Sequence, residues 1–286
     1  MHELRTAILT ALAMLAFAGN SVLCRMALGQ ELIDAASFTT IRILAGATTL
    51  ALILLARRRP PITTPNWSAV LALFGYMVFF SFAYLSLTTA TGALLLFGTV
   101  QLTMLAVALR SGERFSPLAW AGLIVAFSGL VYLLALGVTA PDPLGALLMV
   151  VAGVAWGAYS LIGQRTDGPL LATSTNFFYC VPVALGLSVL YVSSMDVSVH
   201  GAMLAMTSGA LASGVGYAIW YAALPGLTAG GAATVQLSVP VIAAIGGVIL
   251  LSEPLSLRIV VASALTIGGI WLVLATRLRD VAATRQ

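Results

Sequence analysis

The residues with most chemistry to offer are amides and aromatic rings set inside long apolar runs. Gln101 lies between Thr99 and Thr103, and Gln236 between Thr234 and Ser238. An amide carries two N–H donors and a carbonyl acceptor, a set able to hold both ends of a zwitterion. The same groups can instead join helices, at about 0.6 kcal/mol in measured membrane cases. Asn20 has the same two readings. A polar side chain at membrane depth is costly unless paired or wetted, so all three, with Ser238 beside them, are binding candidates.

Rings form the second set. Tyr76, Phe80 and Tyr84 are spaced by four and share one helix face, and Tyr217, Trp220 and Tyr221 make a comparable stripe. Phe17, Trp156 and Tyr159 add to them. Such stripes often only pack a core, but recurrence in both parts of the chain favours a ring-walled cavity. That wall suits a planar, apolar, zwitterionic solute, ring pairs adding about 0.5–1.5 kcal/mol beyond burial.

The chemistry that is missing narrows the choice. All nine acids, from Glu3 to Asp280, fall at expected helix ends or in loops, so no embedded proton relay or cation site is expected. There is no lysine, and among the thirteen arginines only Arg42 lies well inside a span. A phosphorylated solute would need several such cations. Arg42 has two readings, a partner for a substrate carboxylate or a structural cation bonded to carbonyls. His2 and His200 lack an intramembrane acid partner, so an embedded enzyme is not expected. A receptor would need larger loops. Cys24 and Cys180 both lie in apolar stretches, which supports neither a disulfide framework nor a zinc site, and no metal or cofactor is expected.

These groups need helices to carry them. Of 286 residues, 60% are hydrophobic and 8% charged, with mean hydropathy +1.06. Soluble domains are about 25% charged, which excludes a soluble enzyme. A transmembrane β-barrel would show alternating segments of about ten residues, whereas the apolar runs here are unbroken. A spanning helix takes about 20 residues, and the hydropathy predicts ten, at roughly 5–27, 35–56, 67–87, 89–110, 116–137, 143–163, 171–193, 200–222, 228–251 and 256–277. The first is too long for a signal-peptide core and no cleavage pattern ends it.

Charge placement gives orientation. With the N-terminus inside, ten arginines flank cytoplasmic ends, against Arg25 and Arg258 outside. That is a positive-inside pattern, predicting a multi-pass inner-membrane protein with both termini cytoplasmic. It also explains the net charge of +4 without nucleic acid. Trp67, Trp120 and Trp271 fall near span ends, where indoles favour the interface. The sequon Asn66-Trp67-Ser68 would face the cytoplasm and is set aside.

The chain also repeats itself. Residues 99–104 read TVQLTM and 234–239 read TVQLSV, an offset of 135. Acidic turns follow at Glu113 and Glu253, and sixteen residues beyond each comes Gly129 or Gly269 in a final apolar span. Two halves of five helices, residues 1–138 and 139–286, are predicted. An odd number of crossings inverts the second half, the arrangement of secondary transporters with a midplane site. Pro182, Gly214, Gly216 and Pro240 interrupt their spans and are candidate hinges.

These motifs resemble the drug/metabolite transporter superfamily, in particular exporters built from two EamA-type repeats. The resemblance rests on Phe17-Ala18-Gly19-Asn20, Ala155-Trp156-Gly157-Ala158-Tyr159, Arg42, Ser111-Gly112-Glu113-Arg114 and Leu251-Ser252-Glu253-Pro254. Pro240 supplies the fourth-helix proline of the second half, whereas the first half has Met104-Leu105 nearby. The resemblance, which extends to the aromatic amino acid exporters of that family, implies alternating access between two five-helix bundles and export of small metabolites. The expected fold is all-α, ten transmembrane helices in two inverted five-helix repeats. The expected cargo is an amino acid with an aromatic or large apolar side chain, the alternative being a broad drug or nucleotide-sugar exporter.

Overall fold

A computed structural model describes residues 2–112, 115–135, 140–164, 166–227 and 229–283. The first half contains α1 (His2–Gly29), α2 (Ala35–Ala56), α3 (Trp67–Ala83), α4 (Thr89–Arg110) and α5 (Pro117–Leu134). The second contains α6 (Pro143–Gly163), α7 (Pro169–Leu190), α8 (Val199–Gly226), α9 (Gly231–Leu251, preceded by Ala229 and Gly230) and α10 (Leu257–Ala283). Among the described residues nine helices are long and apolar enough to cross a membrane. The remaining one, α3, has 17 residues, about 26 Å at 1.5 Å per residue. Glu113, the acidic turn of the first half, lies outside the described residues.

Helix starts are set by short polar side chains. Asp34, Asn66, Thr88, Ser116, Asp142 and Ser198 each accept a hydrogen bond from the backbone N–H three residues on, which satisfies a donor the first turn leaves open. Pro117, Pro143 and Pro169 occupy first-turn positions, where their missing N–H costs nothing. The third span ends at Ala83, short of the expected 87, because Tyr84–Leu87 form a turn leading to the Thr88 cap.

Hydrogen bonds between loops reveal the threading. Asp34 N–H donates to the Asp196 carbonyl and Asp196 N–H donates to Asp34 Oδ2, Ser86 Oγ donates to Asp142, and Arg258 Nη1 donates to the Ala135 carbonyl. Ten alternating crossings put all these ends on one side, the far face. Ser174 Oγ donates to the Pro61 carbonyl and Gly226 lies against Thr6, joining ends on the side of the N-terminus. Helix pairing agrees. α5 packs on α10, α2 on α7 and α4 on α9, while α3 with α6 matches α1 with α8, and α4 with α6 matches α1 with α9. Exchanging helix n for helix n+5 leaves that set unchanged, as two equivalent inverted halves require.

Small residues allow the close approaches. A Cβ on Gly153 would sit 2.6 Å from Thr99 Cβ, one on Gly157 3.0 Å from Thr103 Cβ, and one on Gly122 2.8 Å from the Gly269 carbonyl. Exposed leucines, isoleucines and valines cover the outside, including Leu12, Ile124, Leu147 and Ile249, as helices facing lipid require. Trp67, Trp120 and Trp271 are all about half exposed.

Candidate functional site

Six of the residues singled out from the sequence converge on one central cavity: Phe17, Asn20, Tyr76, Phe80, Trp156 and Tyr217. Ser21, Arg42, Leu96 and Phe97 complete its wall. The rings hold one another. Tyr76 stacks on Trp156 with centroids 5.0 Å apart, Phe17 meets Trp156 edge-on at 6.1 Å, and Phe97 does so at 5.1 Å. The space left is about 10 Å³, near the size that holds one water. The expected ring-walled cavity is therefore nearly closed, because the rings fill it.

Arg42 is the residue that changes the chemistry of this cavity. Its side chain is 1% exposed. Nε donates to Ser213 Oγ (3.4 Å) and Nη2 to the Tyr76 hydroxyl (3.1 Å), and the guanidinium lies 4.9 Å from the Phe80 ring centre. Nη1 has no hydrogen-bond partner. A buried donor left unpaired costs about 1–3 kcal/mol, more when charged. No Asp or Glu lines the cavity among the described residues. The chamber thus carries one positive charge, supplied by Arg42.

Backbone winding in α8 sets that arginine. Residues Ser208–Val215 form a π-helical stretch between α-helical Val199–Thr207 and Gly216–Ala223. Ser208 and Ser213 are five apart, a separation of about 140° on an α-helix but one that i→i+5 winding brings to the same side. Both hydroxyls donate to Asn20 Oδ1, at 2.8 and 3.4 Å. Asn20, Ser213 and Arg42 therefore form one chain across α1, α8 and α2. Gly209 makes this approach possible, since a Cβ there would collide with the Arg42 carbonyl. Gly214 and Gly216 lie within and directly after the wide turn, so the expected weakness of α8 coincides with a real irregularity.

The remaining candidates lie elsewhere. Tyr221 stacks on Tyr217 at 5.9 Å and shares Thr173 with Tyr159, both tyrosine hydroxyls lying within 3.0 Å of its Oγ1. Trp220 packs edge-on against Phe17 at 6.0 Å. Tyr84 lies at the far end of the Phe80 ring, 4.8 Å away. Gln101 is buried but outside the cavity wall, and Gln236 Nε2 donates to its own helix at the Ala232 carbonyl. Ser238 is exposed, with Oγ donating to the Val235 carbonyl. Neither glutamine joins the ring-walled cavity. Pro240 is buried in α9, and three residues before it the helix breaks at Leu237. Proline removes the N–H that would bond to the Gln236 carbonyl and crowds that carbonyl, which explains the break. Pro182 sits exposed inside an otherwise continuous α7.

Two closures bracket the cavity. Toward the far face, Arg25 Nε donates to Glu253 Oε1 (3.1 Å) and its Nη1 to the Tyr84 carbonyl (3.2 Å), while Glu253 Oε2 accepts from the Thr89 N–H (2.8 Å). Ser252 in left-handed conformation ends α9 and turns Glu253 toward these partners, with Gly247 leaving it room. Toward the N-terminal face, Tyr217 lines the cavity and Tyr221 lines a recess of about 350 Å³ that also contains Arg57, Arg59 and Gly168. The stacked tyrosines separate the two spaces.

Comparison with known proteins agrees with this architecture. The model of the EamA-like transporter family matches residues 4–135 and again 143–275, one match for each half. The chain belongs to the EamA-like transporter family. An uncharacterized protein of Pseudomonas aeruginosa is 50% identical over 281 residues, 97% of each chain. An uncharacterized transporter of Archaeoglobus fulgidus is 29% identical over 226 residues, 72% of this chain and 76% of its own. A solved crystal structure shares the fold with TM-score 0.63 and 19% identity, over 92% of this chain and 98% of its own. As an EamA-type protein the chain is a multi-pass membrane transporter of the drug/metabolite superfamily. Ser21, Leu96, Phe97 and Ser213 complete the site beyond the residues singled out from sequence, and Arg42, read there in two ways, lies in the cavity wall. The one intramembrane cation was the available signal for Arg42, and Ser208 and Ser213 beside Gly209 and Gly214 the signal for the wide turn.

Proposed function

We propose that this EamA-type transporter exports amino acids with aromatic or large apolar side chains, by alternating access to the central ring-walled cavity. The observation that carries this reading is the convergence of Phe17, Tyr76, Phe80, Trp156 and Tyr217 on one enclosed space with a polar edge at Asn20. Rings stack favourably on rings and bury apolar side chains, whereas a strongly hydrated sugar would lose its hydration there.

The two closures support alternating access. The Arg25–Glu253 pair draws α1, α4 and the turn after α9 together at the far face, and the Tyr217–Tyr221 stack shuts the N-terminal side. Opening one while the other holds admits solute from one side only. The arginine distribution supports a cytoplasmic N-terminal face and an inner-membrane location. The recess at Tyr221 is then the cytoplasmic entrance. The break at Leu237 and the wide turn of α8 are the flexures, and the boundary between halves falls near 138–139. No described residue of the cavity wall is an acid, which supports transport without an embedded proton relay.

Uptake of labelled phenylalanine into preloaded proteoliposomes tests the reading. Phenylalanine, tryptophan and leucine should support exchange and hydrophilic sugars should not. Exchange of sugars but no amino acid would refute it.

A further inference from the structure

We infer that Arg42 is the carboxylate anchor of the transport site, so that the protein selects solutes bearing an acid group and does not require an amine. The inference rests on the central cavity being the transport site and names the chemistry that selects its occupant. Four observations carry it. The guanidinium is 1% exposed and lies in the cavity wall. Ser213 and Tyr76 hold Nε and Nη2, which fixes the plane of the group. Nη1 is left with N–H donors and no acceptor. And no described residue in the wall carries a negative charge.

A merely structural arginine would have its donors used by carbonyls. Here the donors are divided, with two nitrogens tied to hydroxyls and one nitrogen free beside an aromatic chamber. A planar fork of N–H groups matches a carboxylate, which can accept two parallel bonds. A ring or branched apolar group attached to that carboxylate would then lie against Phe80, Tyr76 and Trp156. The wall offers an ammonium group no carboxylate, and Asn20 Oδ1 already accepts from two serines. An amine on the solute is therefore tolerated and not selected.

Binding of three probes to the purified full-length chain separates the contributions: 3-phenylpropionate (acid alone), phenylalanine (acid and amine) and phenethylamine (amine alone). The wild-type chain should bind phenylpropionate at least as tightly as phenylalanine, and phenethylamine at least tenfold more weakly. Arg42→Gln should weaken both acids about thirtyfold or more and leave phenethylamine unchanged or tighter. Arg42→Lys keeps the charge but not the fork and should fall between. Ser213→Ala, which loosens the guanidinium without removing it, should weaken the acids several-fold and spare the amine, and it covers the case in which Arg42 variants do not fold. Equal wild-type affinity for phenethylamine and phenylpropionate overturns the inference. So do acid binding indifferent to a folded Arg42→Gln, displacement of phenylpropionate by inorganic phosphate at equal concentration, and failure of both acids to bind. If phenylpropionate binds through Arg42 while no amino acid is exchanged in proteoliposomes, the anchor stands and the amino acid reading falls. Amino acid exchange unaffected by Arg42→Gln gives the reverse.

Discussion

Replacing Glu253 by glutamine tests the far-face closure without changing the size of the side chain. Glu253 uses separate oxygens for Arg25 and for the Thr89 N–H. Glutamine has a single acceptor oxygen, so one bond is lost and the other loses its charge. Hydrogen bonds to charged groups are worth about 1.5–3 kcal/mol and neutral ones about 0.5–1.5. The pair is only partly shielded, at 21% and 13% side-chain exposure, which argues for the lower end, about 1 kcal/mol for each bond. A loss of about 2 kcal/mol shifts the equilibrium toward far-face opening roughly thirtyfold. Cys24, buried and adjacent to Arg25, reports this directly. In a Cys180→Ser background it is the sole thiol, and its rate of modification by a maleimide follows the open population. Glu253→Gln should raise that rate about thirtyfold. A rate within twofold of the parent, in a chain that still melts cooperatively, would refute the closure.

Four further outcomes are expected. Gly209→Ala forces a Cβ into the Arg42 carbonyl and should cost about 1–3 kcal/mol, seen as a lower melting temperature, whereas Gly186→Ala, with open space around it, should be neutral or slightly stabilising. Trp156→Leu removes three ring contacts and should weaken phenylalanine binding about fivefold, the equivalent of about 1 kcal/mol. Gln101→Ala and Gln236→Ala should leave phenylalanine affinity within twofold by titration, because neither amide lines the cavity. Pro240→Ala should slow exchange in reconstituted vesicles with expression unchanged, and undiminished flux would exclude α9 as a flexure.

Much of the fold could be read directly because caps and prolines mark its edges. The limits of α2, α4 and α6 fall where hydropathy and the capping residues Asp34, Thr88 and Asp142 put them. The site was legible in part. Ring stripes on α3 and α8 pointed to the chamber, since four-residue spacing fixes a face, but spacing cannot say which face meets which partner. Tyr84 therefore lies beyond the chamber and Tyr221 behind it. The matching Gln101 and Gln236 reported that α4 and α9 are equivalent helices, which differs from sharing a lining. Arg42 was visible as a charge, yet its direction depends on Ser213, and Ser213 faces Asn20 only because α8 winds wide against Gly209. Packing sets that winding, and no local pattern announces it.

Counterflow tests whether solute passes through the ring-walled cavity. Proteoliposomes holding the wild-type chain are preloaded in turn with each of the twenty amino acids and offered labelled phenylalanine. Accumulation should be driven by phenylalanine, tyrosine, tryptophan, leucine and methionine, with little or none driven by glycine, serine, lysine or aspartate. Equal accumulation whatever the internal solute, or none with any of them, would contradict passage through that cavity.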